Sequence, residues 1–165
     1  MQAVQRDRAA LERELAERWC AAEKRTLYVD GGISESETVA TSMNVVGVAK
    51  THQELHVDAE ELTTIFELKA GERSSVVRVT SRRRTPVASW YLRLRDAAGR
   101  DPLWGLVRVE VAEPKDASSK SVGTRADEVS RWVLAEALPL SLPDARWDKM
   151  VYGIRDCEEF LRAIQ

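Results

Sequence analysis

Apolar residues along the chain change their period several times, and those changes predict a mixed α/β fold. Across residues 3–24, Val4, Leu11, Leu15, Trp19 and Ala22 recur at three-, four- and seven-residue steps, which predicts an amphipathic helix with that stripe turned inward. Leu27, Tyr28 and Val29 read as a short buried strand that ends on Asp30, and Gly31 and Gly32 then supply a tight turn. Residues 34–42 are polar and turn-like. Residues 43–50 read as a second buried strand, with Gly47 marking a close approach or a bulge. Residues 57–68 predict a short helix carrying Asp58, Glu60 and Glu61 in its first turn, the end where the helix dipole favours acids.

Three alternating runs follow. Residues 75–81 alternate around Val77 and Val79. Residues 87–96 set Trp90, Leu92 and Leu94 against Ser89, Tyr91, Arg93 and Arg95, and residues 103–111 set Val107, Val109 and Val111 against Leu106, Arg108 and Glu110. Period-two alternation with a turn at residues 97–100 predicts an antiparallel meander with one well-packed face and one partly polar face. Residues 113–123 read as a mobile loop. Thr124 and Asp127 form a near capping box that opens a helix through about Leu138, with Glu136 on its buried face. Pro139 and Pro143 frame a further loop, and a last helix is expected near residues 156–164.

A chain of 165 residues with this pattern is expected to fold as one domain around one core. The net charge of −2 conceals a segregation: residues 69–108 carry 10 Lys/Arg against 3 Asp/Glu, while the flanks are acidic. Such a basic block steers anionic partners even in an acidic protein. Cys20 and Cys157 form no CxxC pair, no signal-like apolar run opens the chain, and no segment is long and apolar enough to span a bilayer. A cytoplasmic protein is expected.

Several chemistries lack their motifs: there is no GxSxG elbow, no P-loop and no GxGxxG, and His52 and His56 do not stand in HExxH order. Acidic metal chemistry remains. Asp30 lies at a strand end, and Glu12 lies about 60° from the centre of the helix stripe, near enough to meet it. Glu110, Glu136, Asp144 and Asp148 are available as further carboxylates, the last three favoured by their late position. For nucleic acid, Arg78, Arg82, Arg83, Arg84, Arg93, Arg95 and Arg108 supply phosphate contacts, Tyr91 and Trp104 supply stacking surfaces, and Lys50 emerges from an apolar strand beside Asp30.

The order of these features resembles the NurA nuclease family, DNA-end-processing enzymes with a ribonuclease-H-like core. The matching pieces are Leu11-Glu12-Arg13-Glu14-Leu15, then Leu27-Tyr28-Val29-Asp30-Gly31-Gly32, then Val45-Val46-Gly47-Val48-Ala49-Lys50-Thr51. An arginine-bearing segment follows, then Trp90-Tyr91-Leu92-Arg93-Leu94 and Gly105-Leu106-Val107-Arg108-Val109-Glu110. The resemblance covers roughly residues 8–112. It implies a ribonuclease-H-like mixed sheet with an antiparallel meander and flanking helices, and a deoxyribonuclease dependent on Mn2+ or Mg2+. Asp30 and Glu12 would be its catalytic metal ligands, and Lys50, Arg82, Arg83, Arg84, Arg93 and Arg108 would lie against DNA; for the late carboxylate that completes the site, the expectation settles on Asp148. It also implies a HerA-type hexameric ATPase as partner.

Two departures from the family pattern sharpen the expectation. The family begins with a further strand bearing an Asp-Gly-Ser motif, and nothing before Glu12 supplies it; the family's late histidine is missing too, with Asp144 or Asp148 in its neighbourhood. Either the chain is the C-terminal part of a longer nuclease domain, one subunit of a split enzyme whose missing strand another chain supplies, or a degenerate nuclease, or Asp30 is itself the first ribonuclease-H aspartate; a homo-oligomer is a further expectation. The alternative function is a noncatalytic nucleic-acid-binding or ATPase-adaptor module on the same fold.

Overall fold

The computed structural model describes residues 2–50, 57–114 and 118–137, together with positions 160 and 163. Its elements run α1 (Gln2–Ala22), β1 (Leu27–Asp30), α2 (Glu37–Ala40), β2 (Val45–Ala49), α3 (Ala59–Glu67), β3 (Val77–Ser81), β4 (Arg84–Arg93), β5 (Leu106–Ala112) and α4 (Ser119–Glu136). The strands form one open sheet in the order β1-β2-β5-β4-β3. β1 and β2 are parallel, and every other neighbouring pair is antiparallel. The expected meander is thus β3-β4-β5, and β2 joins it through β5.

Residues paired in register share a face of the sheet. Val48 pairs with Val109, and Val109 with Trp90, so these side chains point the same way. Over them lies α4, whose Ala126, Val129, Val133 and Ala137 close the main core. Trp90 is fully buried, and its indole N–H donates to the Ser130 hydroxyl at 2.9 Å, satisfying the one polar atom that burial would otherwise strand. The opposite face is divided. At one end Ile33, Val39, Ala40, Val45 and Val87 cluster beneath α2, and at the other Tyr91 and Leu106 pack against Ile65 of α3. Ser89 and Glu110 lie between the two clusters, paired with each other and both buried.

Several boundaries differ from the sequence expectation, each for a local reason. The α4 helix begins before Thr124 because Ser118 is the N-cap, its side chain accepting from the Ser121 N–H; Thr124 sits inside the helix with its hydroxyl turned back to the Lys120 carbonyl. Within the polar stretch 34–42 a short helix forms, capped by Ser36, whose hydroxyl accepts from the Val39 N–H. The α1 helix has its expected extent, but a different face is inward: Ala16 and Cys20 pack against the core, while Leu11 and Leu15 remain 60% and 64% exposed. The strand β1 is half-buried where β2 is buried at every residue, since β1 lies at the sheet edge. The loop framed by Pro139 and Pro143 and most of the expected last helix lie outside the described residues.

The end of α3 is secured by one buried cation. Arg93 is 1% exposed, and its guanidinium donates to four carbonyls: Phe66 and Leu68 at 3.2 Å each, Pro102 at 2.8 Å and Trp104 at 2.7 Å. The last carbonyls of α3 have no partners within the helix, and Arg93 supplies them from the neighbouring sheet. Burial lowers the affinity of this guanidinium for its proton, and Asp96 acts in the opposite direction. Replacing Arg93 by Met should strand those carbonyls and reduce stability by about 3 kcal/mol. Arg82→Met, in the exposed hairpin turn, should change stability by less than about 0.5 kcal/mol. Urea unfolding of both variants checks the contrast.

Candidate functional site

The segment that leaves β1 crosses one face of the sheet, and nearly every residue in it is fixed by a different element. Gly31 turns the chain at φ 126°, a backbone region that favours glycine. The segment then passes directly over β2, where a Cβ on Gly47 would lie 2.7 Å from the Gly31 carbonyl oxygen and 2.9 Å from Cγ2 of Ile33. Gly47 is therefore a point of close approach, one of the two roles its position suggested. Ile33 N–H donates to the Glu110 carboxylate at 2.9 Å, and the Ser34 carbonyl accepts from Thr85 N–H at 2.9 Å. Glu35 bridges Arg13 of α1 and Arg84 of β4, at 3.0 and 3.4 Å. Ser36 donates to Glu17 of α1 at 2.6 Å.

Glu110 is the centre of this arrangement. Its carboxylate is 2% exposed, and it is held by the Ile33 amide and by Arg108 at 2.9 Å. Charges on residues i and i+2 of one strand lie on the same face, so β5 carries its own counter-ion. A buried carboxylate needs such partners, because removing one leaves an uncompensated charge in a low-dielectric interior. The sequence reading placed Glu110 behind the late acids. Its signal was a polar residue alternating with arginine inside an otherwise apolar strand.

The β1 edge borders a groove of about 760 Å³ that runs beneath α1. Glu12 and Asp30 both line it, so the structure brings the two leading carboxylates to one cavity, with Glu35 and Glu136 also at its wall. Glu12 is paired with Arg8 at 2.7 Å on the exposed side of α1. Asp30 is paired with Lys50 at 3.0 Å, both side chains about one-third exposed, which realises the expected adjacency of Lys50 to the strand-end carboxylate. Glu136, expected inward, is exposed at the end of α4 and reaches this groove. Asp144 and Asp148 lie outside the described residues, as do His52 and His56. Among the described residues no group of three His, Cys, Asp or Glu side chains is placed to hold a metal ion.

The arginines take different positions. Arg82 and Arg83 form the exposed turn of the β3–β4 hairpin, and Arg84 reaches from that hairpin to Glu35 on the groove wall. Arg78 pairs with Glu113 at 2.6 Å. Arg93 and Arg108 are committed inside the fold, Arg93 to backbone carbonyls and Arg108 to Glu110. Tyr91 is buried, while Trp104 has Arg100 stacked over its ring at 4.1 Å.

Tyr28 faces the α4 side of β1. Its phenol is held above its ordinary range, first by burial and then by the negative charge of Glu136, with Arg125 acting in the opposite sense. Compared with protein-family models and with curated proteins, the sequence matches none.

Two outcomes follow from this geometry. Gly47→Ala should lower stability by about 2 kcal/mol and displace residues 31–33, because the colliding atoms include backbone; urea unfolding and the NMR shift of the Ile33 amide read both effects. For Tyr28, the unfolded chain releases the phenolic proton near pH 10.0 while the folded chain retains it to higher pH. Stability should therefore be insensitive to this group below that pH and decline as pH rises from the unfolded value through the folded one. Tyr28→Phe should remove that part of the decline, as measured by denaturation midpoints across alkaline pH.

Proposed function

We propose that the protein is a metal-dependent DNA nuclease domain of NurA-like, ribonuclease-H-like type, acting in the cytoplasm in DNA end processing, repair or defence. The observation that carries this reading is the convergence of Glu12 and Asp30, from a helix and a strand end, on one groove. Their oxygens suit Mg2+ or Mn2+, hard cations that prefer carboxylates. Two carboxylates do not complete such a site, and the further ligand is assigned to Asp148 or to a strand contributed by another chain. The cation would supply Lewis-acid stabilisation of the transferring phosphoryl group. Lys50, 3.0 Å from Asp30, would neutralise charge on a phosphate drawn to the same place. Arg82, Arg83 and Arg84 would hold the DNA backbone on the hairpin, whose tie through Glu35 sets it beside the groove wall. The resemblance adds a HerA-type hexameric ATPase as the partner that would deliver DNA.

A second reading, a noncatalytic DNA-binding or ATPase-adaptor module, is favoured by one observation. Asp30 already has a cationic partner in Lys50.

Cleavage of linear DNA in Mn2+ separates the two. The nuclease reading expects activity that is lost on chelation and reduced at least about a hundredfold in Asp30→Asn and Glu12→Gln, a loss of roughly 2.7 kcal/mol in transition-state stabilisation. Equal rates in all three proteins would reject the site. For DNA binding, replacing Arg82, Arg83 and Arg84 with Ser should reduce the slope of log affinity against log salt by about 2–3, one counterion per lost phosphate contact. Fluorescence anisotropy over a salt series reads it.

A further inference from the structure

Sheets usually protect their edges with charge, bulges or covering elements, because an open edge offers unpaired backbone groups to any extended chain. The two edges of this sheet differ in that respect. β3 carries Arg78 and leads into the Arg82–Arg83 turn, and its pairing with β4 shifts register between Val79 and Ser81. β1 presents Leu27, Tyr28 and Val29 without a charge until Asp30. β1 is an edge strand, with a neighbouring strand on one side only among the described residues.

The direction of its free backbone groups can be read from the hydrogen bonds it makes. Leu27 N–H donates to the Asn44 carbonyl at 2.9 Å and Gly31 N–H to the Val48 carbonyl at 3.0 Å, both toward β2. Strand backbone alternates with period two, so Tyr28 and Asp30 turn their N–H and C=O groups to the side on which no described strand lies. Alongside runs the groove of about 760 Å³, with Leu15, Ala16, Trp19, Leu27 and Val29 among its apolar lining. Leu15 remains 64% exposed, on the helix stripe that periodicity marks as the one to be covered. The charged residues of the lining are Glu12, Asp30, Glu35 and Glu136 against Arg13 alone. Of these acids, Glu136 forms no ion pair among the described residues.

We propose that the open edge of β1 and the groove beneath α1 receive an extended segment of another polypeptide as an added strand, one that alternates apolar residues with lysine or arginine. The backbone groups of Tyr28 and Asp30 supply the ladder, the apolar lining accepts alternate side chains, and Glu136, the acid of the lining without a cationic partner among the described residues, selects for a basic side chain. Such a segment places its own side chains beside Asp30. The inference does not rest on the nuclease reading, since its test measures binding and amide protection rather than cleavage.

The test uses the full chain and a short fluorescent peptide alternating valine with lysine. Comparison peptides alternate valine with glutamate, or carry backbone N-methyl groups at alternate residues of the lysine form. Anisotropy should show micromolar binding of the lysine peptide, at least about tenfold weaker for both comparison peptides. Leu15→Ser and Glu136→Gln, both at exposed positions, should each weaken binding severalfold without altering the far-UV circular dichroism. Hydrogen exchange should show the Tyr28 and Asp30 amides becoming protected when the peptide is bound. Absence of binding, equal binding of the glutamate peptide, or indifference to N-methylation would overturn the proposal. So would sedimentation of the chain alone as a dimer with those two amides already protected, which would assign the edge to a second copy.

Discussion

A carboxylate buried in the middle of a sheet has to be compensated, and Glu110 is compensated by the segment that follows the first strand. The Ile33 amide and Arg108 are its partners, and Gly32 lies close enough that a Cβ there would sit 3.0 Å from Oε2 of Glu110. The path of residues 31–36 follows from that requirement. It demands glycine where the segment crosses β2, and it brings Glu35 and Ser36 to α1. From that contact α1 gains a position relative to the sheet, and the groove between α1 and β1 takes its shape. Apolar packing alone would leave this segment poorly specified, since only Ile33, Val39 and Ala40 of the crossing contribute to a buried cluster. A desolvated ion pair is a weak source of net stability, and what the crossing segment adds is a second partner: on another path the carboxylate would keep Arg108 but lose the Ile33 amide.

The two faces of the sheet then serve different ends. The face beneath α4 is apolar, with one hydrogen bond from Trp90 to Ser130 satisfying its largest side chain. The other face is interrupted by polar groups and is covered by short or partial elements. Function in α/β proteins collects where strands end and connecting segments are held rigidly, and the end of β1, where Asp30, Lys50 and the crossing segment meet, has that character.

Much of the fold was legible in the sequence because it rests on local periodicity. The alternation around Trp90 and around Val107–Val111 gives the β4–β5 pair and its apolar face, which in the structure α4 covers. Helix α3 was legible from its acids, although Asp58, expected in the first turn, is its N-cap, accepting from the Glu60 and Glu61 amides. Strand order was not legible, since the antiparallel joint between β2 and β5 links residues far apart in sequence and leaves no local trace. The inward face of α1 was misread for a related reason: periodicity identifies an apolar stripe but not whether the same chain covers it. For the candidate site, Asp30, Glu12 and Lys50 were singled out by position and type; Asp30 and Glu12 line one groove, and Lys50 pairs with Asp30. Arg93 and Arg108 read like phosphate contacts because an arginine in an alternating strand looks the same whether it faces solvent or a set of carbonyls.

The joint between β2 and β5 also has a mechanical meaning. On one side of it lies the meander β3-β4-β5, whose strands are neighbours in sequence as well as in space. On the other lies a parallel pair closed by the crossing segment and α2. Contacts between near neighbours form early in folding and distant ones late, because loop closure costs entropy before the contact is made. The chain is therefore expected to assemble as two halves that zip together along β2 and β5, with Glu110 and Gly47 directly opposed on that seam. Arg108 and Glu110 find each other within one strand, so the meander reaches the seam with its charge already paired. The last step of folding then excludes water from that pair and adds the Ile33 amide to it.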